Sequence, residues 1–280
     1  MFDFRYHALS LAAVFLALGI GIVLGATLGD SVISEANKDV RSSLQGDLLD
    51  ARGDAQKANN ALSQRDRFIN SAAQYLAANK LSGERISIVS SGSLPGSVES
   101  GVRTAVKTGA GTVDGVARFD AQPDLVKLVA NLSPHYQALA ATPDGVRTLG
   151  QRIGRSLVKG DRLAHALQNQ FPDAFNGDLK GADAVVYYRS AENRNDEAKT
   201  FESALIEGLR SGGVPVVGVE ESDATQSQIP FYERAAISTV DDLDQPAGKI
   251  ALVLSLGGAA GNYGFKKTAD APLPAPSGSR

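Results

Sequence analysis

One segment near the start of the chain constrains the fold more than any other. Residues 8–28 include no charged side chain, and small or large apolar residues fill almost every position. A helix rises about 1.5 Å per residue, so this segment is long enough to cross a hydrocarbon layer about 30 Å thick. A cleaved signal peptide has a shorter apolar region behind a basic one, and only Arg5 precedes this run. The sequence therefore predicts an uncleaved transmembrane helix at 8–29, behind a short flank at 1–7.

The flanking charges bear on the orientation of this helix. Arg5 is the only basic side chain before it, and Lys38 and Arg41 are the nearest ones after it. The acidic residues that follow contribute little to topology. We expect a single-pass protein of the cell membrane, with its N-terminus in the cytoplasm and its C-terminal domain outside.

Small residues recur at every fourth position within the apolar segment. On a helix they form one stripe, along which two backbones can approach closely in lipid. Glycine and alanine are also common in membrane helices without such a role, so the stripe only favours self-association. Its members are Ala13, Ala17, Gly21, Gly25 and Gly29.

The next segment, 30–82, has the spacing of a coiled coil. It is free of proline until its end, and apolar or small residues alternate at three and four positions. Gly46, Gly53 and Arg65 weaken the pattern, because glycine lowers helix stability and a charged residue suits the seam poorly. We expect a parallel dimeric stalk, and the alternative is a single helix lying along the next domain. The principal seam residues are Ile33, Val40, Leu44, Leu48, Leu62, Ile69 and Leu76.

Residues 83–262 have the pattern of an α/β domain. Apolar strand-like runs at 85–90, 112–119, 184–188 and 214–219 alternate with helical spacing, which is typical of a parallel sheet with crossover helices. Helical segments at 124–132, 144–158 and 161–171 form an insertion. The apolar run at 250–256, after a turn at Pro246, is too short to be a second span. The predicted fold class is therefore α/β: a transmembrane helix, a coiled-coil stalk and a Rossmann-like, mostly parallel domain, followed by a disordered tail at 263–280.

The composition limits the kinds of functional site that the chain can form. The chain has no cysteine, which excludes a disulfide, a thiolate metal site, an iron–sulfur cluster and a cysteine nucleophile. It has one methionine and three histidines. Lys and Arg number 28 against 31 Asp and Glu, with no basic cluster suited to nucleic acid. No pair of histidines shares a helix turn, and no Ser/His/Asp order indicates a hydrolase. We expect no enzymatic activity, and we assign no catalytic, cofactor or metal residue.

Ligands of doubly wound sheets usually bind beyond the carboxyl ends of the strands. No recognised catalytic set occurs at these ends, and the sequence from Ser91 to Gly96 lacks the spacing of a phosphate-binding loop. The residues expected there are Ser90, Ser91 and Gly92, then Arg189 and Ser190, then Glu220, Glu221 and Asp223, then Ser238, Asp241 and Asp242.

Two acidic groups at these ends could bind a hard cation. Neither group, 220–223 or 241–244, has the ligand spacing of a calcium loop. Ser238 with Asp241, and Thr239 with Asp242, also fit the spacing of a capping box at a helix start. We favour the capping interpretation.

Two stretches carry a resemblance to a known family. The first is Arg5-Tyr-His-Ala-Leu-Ser-Leu-Ala-Ala-Val-Phe-Leu-Ala-Leu-Gly-Ile-Gly21 with Leu24-Gly25, and the second is the run from Ile237 to Leu256 with Tyr263-Gly264. Both resemble the actinobacterial MctB family, called copper transporters, and the order of anchor, stalk and α/β domain matches as well.

The resemblance implies a role in copper transport or homeostasis at the cell envelope, with copper as a transported or sensed ion. Some relatives instead look like partners of a second membrane protein in daughter-cell separation. No copper ligand set is visible, because Cu(I) prefers cysteine and methionine. The alternative is therefore a non-enzymatic dimeric scaffold whose stalk and α/β domain bind a partner protein. The expected partners are membrane lipid, a second copy of the chain and, in the scaffold alternative, a second membrane protein of the envelope, but not nucleic acid.

Overall fold

The computed structural model describes residues 4–178 and 181–275, without the side chains of residues 4–5 and 27–39. The chain divides into two compact units, Met1–Arg65 and Asp66–Arg280. The first helix, α1, covers Phe4–Leu76 and is continuous through the predicted anchor and most of the predicted stalk. Within it, Tyr6–Ala26 is long and apolar enough to cross a membrane, with a mean hydropathy of 2.5. The expectation of one N-terminal apolar helix is confirmed, although no helix boundary separates it from the stalk.

The second unit is built on a seven-stranded mixed sheet in the order β3-β2-β1-β4-β5-β6-β7. Among the strand pairs formed by the described residues, β2–β3 alone is antiparallel. The strands are β1 (Arg85–Ser91), β2 (Thr112–Phe119), β3 (Phe175–Gly177), β4 (Ala184–Arg189), β5 (Val216–Val219), β6 (Ser238–Val240) and β7 (Asn262–Tyr263).

The central strands are short apolar runs because both of their faces are covered. Val185 and Val186 are adjacent in β4 and both are fully buried, one in each of two separate cores. One core includes α2 and α9, and the other includes α3 to α8. The helices are α2 (Gly96–Thr108), α3 (Leu125–Val129), α4 (Pro134–Leu139), α5 (Pro143–Lys159), α6 (Arg162–Gln170), α7 (Asp196–Arg210), α8 (Ile229–Arg234) and α9 (Pro246–Leu256).

The sheet is doubly wound. From β1 the chain continues to β2 on one side and, after the helical insertion, to β4 on the other. Among the parallel strands, β1 lies between the next two in the chain, β2 and β4, as in flavodoxin-type sheets. The strand beside β2, β3, is antiparallel, whereas the dinucleotide-binding Rossmann order has a parallel strand there. This arrangement creates one crevice, between the carboxyl ends of β1 and β4, where ligands of such sheets usually bind.

Helices α5 and α7 pack unusually closely. A Cβ added to Gly150 would lie 2.7 Å from the Phe201 carbonyl oxygen, and one added to Gly154 would lie 2.7 Å from the Leu209 amide nitrogen. On the facing helix, a Cβ at Gly208 would lie 2.9 Å from the Gln151 Cα. These contacts involve backbone atoms, so the glycines set the distance between the two helices.

Several predicted elements differ from the structure. The predicted turn at Pro246 is the first turn of α9. Proline is favoured there because an N–H at the first helical position has no acceptor within the helix. The short strands β3 and β7 were not predicted. Residues 263–275, predicted to belong to a disordered tail, pack at the sheet edge, where Gly264 N–H donates to the Ala271 carbonyl at 3.1 Å. Residues 276–280 lie outside the described part of the chain.

Candidate functional site at the carboxyl edge of the sheet

The crevice between β1 and β4 is occupied by an arginine of the chain itself. The side chain of Arg194 is 1% exposed. Its Nη2 donates to the Ser91 carbonyl at 2.8 Å and to Ser91 Oγ at 3.1 Å, while Nη1 donates to the Ser190 carbonyl at 3.0 Å. One guanidinium thus bridges the ends of both strands and fills the base of the crevice between them.

A buried carboxylate compensates the charge of this arginine. Glu202, on α7, is 2% exposed and lies 3.1 Å from both Arg189 Nε and Arg194 Nε. The Tyr187 hydroxyl donates to Glu202 Oε1 at 3.0 Å. Burial, followed by the Glu202 charge, raises the pKa of Tyr187 well above its ordinary value. Tyr187 therefore stays protonated and acts as a donor that helps to hold the carboxylate in place.

The ends of β5 and β6 carry a second polar network. Lys266 Nζ donates to Glu220 Oε1 at 2.6 Å and to the Glu221 carbonyl at 2.9 Å. Asp241 accepts from the amides of Phe265 at 2.9 Å and Lys266 at 3.0 Å. The two carboxylates therefore fasten the C-terminal segment to the sheet, which explains why this segment is ordered.

The capping-box interpretation of this region is wrong. Ser238 and Thr239 belong to β6, so no helix begins there. Ser238 Oγ accepts from the Gly261 amide at 3.3 Å, and Thr239 Oγ1 donates to Asn262 Oδ1 at 3.0 Å. Both hydroxyls serve the neighbouring edge strand, β7, which the sequence pattern had not revealed.

An open cleft of about 340 Å³ lies beside these networks, at the ends of β4 and β5. Tyr188, Glu220, Glu221 and Asp223 are among its lining residues. Burial, followed by the negative charges of Glu221, Glu192 and Glu220, raises the pKa of the half-buried Tyr188. The acidic lining suits a cationic group better than an anion.

The described residues offer little for binding copper. Among them, no group of three or more His, Cys, Asp or Glu side chains is arranged to hold a metal ion. His135 Nε2 lies 2.6 Å from Arg152 Nη1. His165 is half-buried on α6. The only methionine is residue 1, which lies outside the described chain.

The residues predicted for association lie on α1. Of the small-residue stripe, Ala13, Ala17, Gly21 and Gly25 are exposed in the single chain. Of the seam, Val40, Leu44, Leu48, Leu62 and Leu76 are also exposed, whereas Ile69 is half-buried. The structure describes exposure for neither Gly29 nor Ile33. A single chain does not test association, so both sets remain predictions.

Sequence reasoning missed the residues that organise the edge: Arg194, Glu202 and Lys266. Ser91 and Arg194 are 103 residues apart, and Glu220 and Lys266 are 46 apart. The one local signal was the pair of arginines at 189 and 194 upstream of a carboxylate on an otherwise amphipathic helix.

Comparison with known proteins agrees with the sequence resemblance. A family model described as "Copper transport outer membrane protein, MctB" matches residues 1–274. Copper transporter MctB of Mycobacterium tuberculosis and that of Mycobacterium bovis are each 24% identical over 306 residues, covering 94% of this chain and 96% of the relative. Copper transporter MctB of Mycobacterium leprae is 24% identical over 319 residues with the same coverage. The order of apolar helix and α/β domain and the match over nearly all of its length show that this chain belongs to the MctB family.

Proposed function

We propose that this chain acts in copper transport or copper homeostasis at the cell envelope, as a membrane-anchored protein without enzymatic activity. The observation that carries the proposal is the family match over residues 1–274, which includes the apolar helix and the α/β domain alike. Relatives named copper transporters align with 94% of the chain. In this proposal the N-terminus lies in the cytoplasm and the α/β domain lies outside.

In this proposal copper is a cargo that the α/β domain does not hold tightly. Cu(I) favours thiolate and thioether ligands, and the chain has no cysteine and one methionine. The domain is best described as a doubly wound scaffold in which Arg194 fills the base of the usual ligand crevice. Its role would then be to make contacts with other proteins rather than to bind a small cofactor.

The proposal also includes association of the chain with a second copy of itself. We propose a parallel homodimer joined by a coiled coil along the seam of α1. The exposed side chains of Val40, Leu44, Leu48 and Leu62 support this, since a water-exposed row of large apolar residues is best explained by a partner helix. Further along α1, Phe68 and Tyr75 are exposed one heptad apart and would flank the same seam.

A second candidate is a scaffold that binds another envelope protein, for example in cell separation. The same exposed row on α1, and the arginine that fills the base of the crevice, favour a binding role over chemistry. Copper content distinguishes the two candidates, because a scaffold for cell separation has no reason to change it.

The test is deletion of the gene in the organism that encodes this chain, followed by growth in graded copper and measurement of cellular copper. We expect the deletion to change copper tolerance and copper content, and the intact chain to restore both. Unchanged copper content together with chained, unseparated cells would refute the first candidate and support the second. Protease added to intact protoplasts should cleave the α/β domain, and protection of that domain would refute the proposed orientation.

A further inference from the structure

Asp242 is a buried carboxyl group that the copper-related proposal does not use. It lies in the turn between β6 and α9, and the residue is 1% exposed. Neither of its carboxylate oxygens has a hydrogen-bond donor in another described residue. The first turn of α9 packs directly against it, since a Cβ added to Gly248 would lie 2.6 Å from Asp242 Oδ1. A charge placed here has lost its water without gaining a hydrogen bond from another described residue, which is costly.

The neighbouring charged groups already have partners. Asp241, in the same turn, accepts two amides of the C-terminal segment. Asp244 accepts from the amide and the hydroxyl of Ser222, both at 2.6 Å. Glu220, directly after β5, is paired with Lys266 of the C-terminal segment. On α9, Lys249 Nζ donates to the Asp244 carbonyl at 3.3 Å.

These surroundings favour a proton on Asp242. Burial, then the negative charges of Asp241 and Asp244, raise the pKa of Asp242 from its ordinary value of 3.8 to about 7, against the lowering effects of its own backbone amide and of the Lys266 charge. The folded chain therefore holds a proton that the unfolded chain releases at lower pH. By linkage, the folded state is most stable below the ordinary value and loses stability as the pH rises through about 7.

We propose that Asp242 is a proton-operated latch, which keeps the β6–α9 turn and residues 262–271 closed on the sheet when protonated and loosens them when ionised. The residues on either side of Asp242 make the closing contacts. The Asp241 amide donates to the Tyr263 carbonyl at 3.1 Å, and the Leu243 amide donates to the Glu220 carbonyl at 3.1 Å. An ionised Asp242 that moves toward water must therefore pull apart the bonds between this turn, β5 and the C-terminal segment.

Hydrogen exchange in the full-length protein in detergent tests the latch. If the carboxyl is released to water on opening, the opening constant for residues 262–271, corrected for intrinsic exchange, should be about tenfold larger at pH 8 than at pH 6. The constant rises about tenfold for each pH unit below the raised pKa and levels off above it, and about one unit of this interval lies below that pKa. The Phe265 and Lys266 amides report this directly, since both donate to Asp241.

The variant Asp242→Asn replaces the carboxyl by a neutral amide and should abolish the tenfold change. Asp120→Asn, a matched change at an exposed aspartate, should retain it. An equal pH dependence in the wild type and in Asp242→Asn would overturn the proposal. If Asp242→Asn does not fold, infrared titration of the wild type decides: a buried protonated carboxyl that disappears with a midpoint near pH 7 supports the latch, and its absence at pH 6 overturns it.

Discussion

The close packing of α5 against α7 makes Gly154→Ala a sharp test of the fold. A Cβ at this position would lie 2.7 Å from the Leu209 amide nitrogen and closer still to the Leu205 carbonyl oxygen. Both are backbone atoms, so no side-chain rotation can relieve the contact, and the two helices must move apart. The interface between them is fully buried, with Leu149, Ile153 and Leu205 all at 0% exposure.

The magnitude follows from two opposed effects. Overpacking a well-packed core costs about 1–3 kcal/mol and sometimes more. Replacing glycine by alanine within a helix contributes about 0.5–1 kcal/mol in the other direction. Because the clash here is with backbone, we place the cost at the upper end of its range, for a net loss of about 2 kcal/mol in the free energy of unfolding. In a domain of this size that lowers Tm by about 4–8 °C.

The assay is thermal unfolding of the full-length protein in detergent, followed by the near-ultraviolet circular dichroism of its tyrosines. Gly96→Ala is the control, since Gly96 is another helical glycine of this domain, at the first position of α2, and a Cβ there meets nothing within 4 Å. We expect the control to leave Tm unchanged or slightly raised. A Gly154→Ala protein with the same Tm as this control would refute the close-packing argument.

Two further variants probe the polar networks at the sheet edge. Glu202→Gln leaves two arginines without their buried carboxylate and should lower the free energy of unfolding in urea by about 3–5 kcal/mol. Glu197→Gln, at an exposed position of the same helix, should lower it little. Equal urea midpoints for the two variants would contradict the pairing. Gly264→Ala, at φ +136°, would bring a Cβ within 2.9 Å of Asp241 Oδ2 and should make residues 262–271 sensitive to protease, while Gly258→Ala, at φ +104° in open space, should not. Similar cleavage of both would show that backbone strain alone, and not the Asp241 contact, governs the segment.

Local spacing predicted the elements whose apolar residues repeat within one strand or helix. The strand Thr112–Phe119 has the bounds expected from the sequence, and helix α5, Pro143–Lys159, extends the expected segment 144–158 by one residue at each end. Helix α9 was missed as a helix because Ile250, Ala251, Leu252 and Val253 are all buried. A helix covered on every side has no polar face, so its sequence has no helical period to detect.

The organisation of the sheet edge could not be predicted in the same way. Its ordering contacts join residues that are far apart in the chain, such as Arg194 with Ser91, and no local window contains both. Asp241 and Asp242 were identified as residues at a strand end, but their roles depended on β7 and on the ordered C-terminal segment. The capping interpretation failed for that reason: the donors near Asp241 come from residues 265 and 266, not from a following helix.

The most direct test of the account is cellular copper content in a deletion strain complemented with variants of the α1 seam. Leu48→Asp places a charge in the proposed seam, whereas Leu49→Asp places the same charge on the adjacent exposed leucine, which lies outside the seam. We predict that the wild type and Leu49→Asp restore the copper content of the parent strain, and that Leu48→Asp, expressed at the same level in the membrane, does not. Restoration by Leu48→Asp, or a deletion that leaves copper content unchanged, would contradict a copper function that depends on the dimeric stalk.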